Sequence, residues 1–165
     1  MKILVGCETS GEVRDAFIAK GHDAMSCDIL PTDVPGPHYQ GDLLEILDEG
    51  WDLLIAHPPC TYLTVSGLHW NTRLNPDGSF KKPGRADKTE EALEFFRALL
   101  YAPINKICLE NPVGVANTKI KKPTQIIQPY EFGDDASKKT CLWLKNLPPL
   151  VKDPALRFKG RMVNG

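Results

Sequence analysis

The stretch WDLLIAHPPC, residues 51–60, constrains this chain more than any other. Residues 52–56 are an Asp-led run of Leu and Ile bounded by breakers, the pattern of a central strand in a parallel sheet. Pro58 and Pro59 stop the strand, because neither can continue a ladder and together they impose a stiff extended exit. Cys60 is therefore expected just beyond the carboxyl end of a central strand. In open α/β sheets that edge is where ligands bind. A cysteine after a proline turn is also an ordinary packing residue. Its meaning depends on what the rest of the chain brings to the same edge.

The chain repeats the arrangement. Residues 2–7 are a Leu and β-branched run that opens into GCETSG, residues 6–11. Val13, Ala16 and Phe17 then recur at helical spacing over residues 12–20, with Gly21 where a helix C-cap belongs. Residues 23–28 form a second strand ending in Asp28. Strand, glycine-bounded turn, helix, and strand with a terminal acid is a βαβ opening that commonly receives a nucleoside-containing cofactor. Gly6 and Gly11 let the backbone approach a ligand, and Asp28 can accept hydrogen bonds from both ribose hydroxyls. The turn is not GxGxxG, and Glu8 would repel a pyrophosphate. A cofactor with a nucleoside but no phosphates fits better.

A proline-rich connector (31–37), Gly41-Asp42 and a short helix (43–48) ended by Gly50 lead into the central strand. After Cys60, residues 61–85 form a long loop rich in Gly, Asn and Pro, of the length that is usually functional or disordered. Asp87 and Glu90 suggest a capping box. The helix it would start runs to Tyr101, with Leu93, Phe96, Leu99 and Leu100 on one face. Residues 105–109 are another buried strand, followed by Glu110-Asn111-Pro112: a carboxylate and a proline again reach the same edge. Strands at 126–130 and 140–144 flank a polar turn at 132–139. No repeat or internal boundary interrupts the 165 residues, which suffice for one domain with a real core.

Composition excludes several classes. The hydrophobic fraction of 42% and charged fraction of 25% are ordinary for a soluble globular chain. The N-terminus lacks the pattern of a signal peptide, and no stretch is long enough to span a membrane. Five cysteines (Cys7, Cys27, Cys60, Cys108, Cys141) stand singly without zinc-site spacing. No metal site is expected, and the setting reads as reduced and cytoplasmic. The net charge of −1 hides an asymmetry: residues 1–66 carry 3 Lys/Arg against 11 Asp/Glu, and residues 115–165 carry 10 against 4. A basic C-terminal third suits a nucleic-acid face, with Lys119, Lys121, Lys122, Lys138 and Lys139 as candidate phosphate contacts.

Taken in order, GCETSG, Asp28, the QGDL acid Asp42, PPC (58–60) and ENP (110–112) resemble the motifs of DNA cytosine-5 methyltransferases, in particular compact phage-encoded DNA methylase-like proteins. The resemblance covers about residues 1–145. It implies a Rossmann-like α/β fold with a mostly parallel central sheet and helices on both faces. It implies S-adenosyl-L-methionine bound by Gly6, Cys7, Glu8, Gly11, Asp28, Asp42 and Pro58. Catalysis falls to Cys60, Glu110 and Asn111; Pro59, Lys138 and Lys139 face the substrate, and DNA is the partner. Thiolate attack at carbon 6 would make carbon 5 of cytosine nucleophilic. Enzymes that methylate an exocyclic amine carry D/N-P-P-aromatic at this strand end; here the flanks are His57 and Cys60. The chain departs from the family in having no separate target-recognition domain. The family's final helix is also missing unless residues 153–165 replace it, so a homo-oligomer or a partner chain is a further expectation. Two other readings stay open: a non-catalytic binding protein on the same fold, and a cytosine methylase of free nucleotide or RNA.

Overall fold

Alternation along the first strand creates the two faces of the sheet. In the computed structural model, which describes residues 1–156, β1 (Lys2–Gly6) buries Ile3 and Val5 on one face and Leu4 on the other. Helix α1 (Glu12–Ala19) covers the first face, packing Val13 and Phe17 against Ile3, Val5, Ala24 and Leu53. After β2 (Asp23–Asp28) and β3 (His38–Gln40) come a 3-10 turn at Leu43–Ile46 and β4 (Leu53–Ala56). A short α2 (Val65–Leu68) precedes the long α3 (Arg85–Leu100), which covers the second face. There Leu93, Phe96 and Leu99 are fully buried against a cluster that includes Leu4, Leu54, Ile107 and Leu109. Each such side chain contributes about 1.5–3 kcal/mol on burial. The chain continues through β5 (Lys106–Pro112), α4 (Ala116–Lys119), β6 (Gln125–Ile127) and β7 (Thr140–Lys145).

The seven strands form one sheet in the order β3-β2-β1-β4-β5-β7-β6. All neighbours are parallel except β7, which runs antiparallel to both β5 and β6. The mostly parallel α/β sheet with helices on both faces is thus as expected. Strand order reverses at β1, which pairs with β2 on one side and β4 on the other. A crevice outside the carboxyl ends of these strands is the ligand position that such a reversal creates.

Several boundaries differ from the sequence expectation. β3 was not foreseen: three residues after a proline-rich connector carry no periodicity, and the strand exists because it pairs with the end of β2. β5 runs on through Glu110, Asn111 and Pro112, since β7 supplies partners beyond the point where β4 ends. The strand expected at 126–130 stops at Ile127, because Pro129 opens a 3-10 turn capped reciprocally by Gln128 and Glu131. The helix expected at 43–48 is a single 3-10 turn, and α3 begins at Arg85 after Gly84 (φ 74°), without the Asp87 capping box. Residues 61–85 are structured, as described below. Residues 153–165, the possible substitute for a last helix, lie outside the described residues beyond Leu156. No helix among the described residues is long and apolar enough to cross a membrane.

Candidate active site

A cavity of about 400 Å³ opens at the strand-order reversal, lined by Cys7, Cys27, Asp28, Asp42 and Pro59 from the strand ends and their turns. Ile29 and Leu30 form an exposed apolar wall next to Asp28. Asp28 uses Oδ1 to accept the Leu30 amide (2.9 Å), and Asp42 uses Oδ1 to cap the 3-10 turn through the Leu44 amide (2.9 Å). Neither Oδ2 has a hydrogen-bond partner among the described residues. Burial, with Asp28 next in effect, pushes the Cys7 and Cys27 thiols up to about 12. Both are neutral cavity-lining groups at physiological pH. The opposite wall was missed from sequence: Tyr62, then Lys88, Glu91, Ala92 and Phe95 of α3. The last four fall at i, i+3, i+4 and i+7, a helical face that spacing alone could have revealed.

The glycine turn works differently from the expectation. Glu8 is buried, and its carboxylate turns back onto the start of α1, accepting the amides of Val13 (2.7 Å) and Arg14 (3.3 Å). A helix N-terminus at this place normally receives a phosphate; here an internal carboxylate occupies it. Gly11 (φ 74°) makes room for Arg14, whose guanidinium a Cβ there would meet at 2.5 Å. Gly6 similarly makes room for Leu43, because a Cβ at position 6 would lie 2.4 Å from a Leu43 methyl. Gly6, Glu8 and Gly11 therefore shape the turn without lining the cavity.

Beside the cavity, two neighbouring parallel strands deliver the remaining candidates. The last β4–β5 pair is Ala56 with Leu109, so His57 falls next to Glu110. His57 Nδ1 lies 3.1 Å from Glu110 Oε2, and both side chains are about one-third exposed. Asn111 is 1% exposed and donates from Nδ2 to the Pro58 carbonyl (2.7 Å), so β5 holds the proline turn directly. The Cys60 carbonyl accepts the amides of Leu63 (2.9 Å) and Thr64 (3.1 Å), which fixes the turn carrying the half-buried thiol. Lys138 and Lys139 are exposed and lead into β7 opposite the end of β5, at this same edge. Of the other basic candidates, Lys119 is paired with Glu90 (3.4 Å), and Lys121 sits with Tyr101 and Lys145 in a groove at the far end of the sheet. Among the described residues, the basic candidates of the C-terminal third do not share one face. A thiol, a carboxylate–imidazole pair and an apolar cavity with two aspartates on one edge are equipped for nucleophilic addition assisted by a proton donor.

No protein-family model matches the chain, and no curated protein matches it. Solved structures do match. One is a prophage-encoded E. coli protein provisionally described as a DNA modification methyltransferase. It is 13% identical with a TM-score of 0.48, over 87% of this chain and 46% of that one. The chain thus spans less than half the length of that structure.

Proposed function

We propose that this chain is an S-adenosylmethionine-dependent methyltransferase acting on carbon 5 of cytosine in DNA. The observation that carries the reading is the His57–Glu110 pair where β4 and β5 deliver their last residues, with Asn111 holding the Pro58 carbonyl two residues before Cys60. The cavity fits the cofactor's chemistry. Its apolar walls suit a purine, and its two aspartates suit hydroxyl and amine donors. The phosphate position is filled by Glu8, as a phosphate-free nucleoside permits. Asp28, Asp42 and Cys7 are the residues that would hold it; Pro59, expected on the substrate side, lines this cavity in place of Pro58.

When bound, S-adenosylmethionine supplies an electrophilic methyl group. The Cys60 thiolate adds to carbon 6 of a cytosine swung out of its stack, and the carbon 5–6 double bond becomes a nucleophilic enamine. Glu110 gives a proton or a hydrogen bond at ring nitrogen 3, and His57 orients that carboxyl through its 3.1 Å contact. Carbon 5 takes the methyl group, for which S-adenosylhomocysteine would be the leaving thioether; the carbon 5 proton then passes to solvent, any proton given at ring nitrogen 3 returns to Glu110, and the carbon 6–sulfur bond breaks to regenerate the thiolate. Asn111 and Pro58 keep the cysteine turn in place, and Lys138 and Lys139 offer charge to the DNA backbone. The test is incubation with methyl-labelled S-adenosylmethionine and DNA, followed by digestion to nucleosides. Label is expected in 5-methylcytosine. Label in N4-methylcytosine or N6-methyladenine would overturn the assignment.

A further inference from the structure

We propose that the arm between Cys60 and α3, residues 61–84, is a docking surface for single-stranded DNA. The choice of DNA rests on the reading above; the choice of a single strand rests on the arm itself. The arm is a folded unit. Leu74 bridges Phe80 across a tight turn in which Asn75 donates its amide to the Ser79 carbonyl (2.8 Å), and Lys81 donates to Arg73 (2.8 Å). At its base Arg85 grips the carbonyls of Thr61 (2.9 Å) and Gly67 (3.3 Å).

Its outer surface is cationic and aromatic. Arg73 and Lys82 lie 5.1 and 4.5 Å from the centre of the Trp70 ring, and His69 stands 4.7 Å from the same ring. Arg85 lies 4.9 Å over Tyr62, which also lines the cavity, so the cation–aromatic track continues inward to Pro59. Leu74 and Phe80 are half exposed, at 49% and 52%. Residues 61–88 hold four Lys/Arg besides Lys88 against two Asp, and one of those acids, Asp77, is taken up by Ser79. The charge complements a phosphate backbone. The arm's two asparagine amides, suited to reading adenine edges in a duplex groove, are already engaged: Asn71 donates to Thr89 and Asn75 to Ser79. What faces outward is what tracks an unpaired strand, cations for phosphates and rings for base faces.

Fluorescence anisotropy with a labelled single-stranded DNA oligonucleotide, its duplex and the RNA of the same sequence tests this. The single-stranded DNA should bind about tenfold or more tightly than either competitor. Replacing Arg73, Lys81 and Lys82 together by Ala should reduce the log–log salt slope by about 2, at roughly 0.7 per phosphate contact. Trp70→Leu, and separately the exposed Phe80→Ser, should weaken binding about fivefold or more with the slope unchanged. Equal or stronger binding of duplex or RNA, no binding at all, or unchanged affinity in the triple variant with native circular dichroism would overturn the proposal. Calorimetry of cofactor binding separates the two readings. Failure of the wild-type chain to bind S-adenosylmethionine counts against the methyltransferase, whereas loss of strand binding with cofactor binding intact counts against the arm.

Discussion

Asn111 shows how much one side chain does at this edge. It is buried, its Nδ2 is committed to the Pro58 carbonyl, and its Oδ1 has no hydrogen-bond partner among the described residues. Asn111→Leu should destabilise the fold by about 1–3 kcal/mol, because the Pro58 carbonyl loses its donor; urea denaturation would measure it. The cysteines separate by environment. Burial pushes Cys7 and Cys27 up to about 12 and Cys108 to about 11, so their thiolates form only at pH values above those. Cys141 is fully buried beside the Asn117 amide. Iodoacetamide at about pH 8, near the ordinary thiol range, should therefore modify Cys60 first. Raising the pH by about two units should still spare Cys7 and Cys27, whose pKa values lie highest, while Cys108 begins to react. Peptide mass mapping reads this out; early labelling of Cys7 would contradict it. The positions of Cys60, Glu110 and Asp28 near the ends of β4, β5 and β2 were legible in the sequence because each strand is closed by a breaker or an acid. The His57–Glu110 contact was not, since it depends on the Ala56–Leu109 register between strands far apart in the chain.

Among the elements, the long parallel strands and α3 were legible because their apolar periodicity is strong. β3 and the extension of β5 were not, because both are created by their neighbours. The arm was the largest omission. It looked like loop because Gly, Asn and Pro dominate it, yet bridges and side-chain contacts fold it. One such bridge joins Thr64 to Gly114, where an added Cβ would lie only 2.0 Å from the Leu63 carbonyl oxygen. Gly114→Ala should push the base of the arm off β5's exit. Faster trypsin cleavage at Arg73, Lys81 or Lys82 is expected, and an unchanged digestion pattern would contradict it. At the other end of the site, Glu8→Ala removes the acceptor for two amides at the start of α1. A loss of about 0.5–2 kcal/mol is expected, the range for a lost helix cap, and thermal unfolding would measure it.

For the whole molecule, the mostly parallel sheet gathers at one edge residues spread along half of the chain: Asp28, Asp42, Cys60 and Glu110. The order of motifs along the chain conveyed that edge, because each strand of a parallel sheet ends on the same side. The charge distribution misled: among the described residues of the basic C-terminal third, Lys138 and Lys139 and the Lys121–Lys145 groove fall at two ends of the sheet, and the cations nearest the cysteine in sequence belong to the arm. Central to the proposed chemistry is a covalent bond from Cys60 to cytosine. A DNA oligonucleotide with fluorine at carbon 5 of its cytosines tests it, since fluorine cannot leave as a proton does. Intact-mass analysis with S-adenosylmethionine present should find protein plus oligonucleotide plus one methyl group. Cys60→Ser should abolish that species, and Glu110→Gln should slow its formation strongly while leaving cofactor affinity nearly unchanged. A folded protein that binds cofactor and DNA yet gives no adduct, or an adduct that survives Cys60→Ser, would contradict the claim.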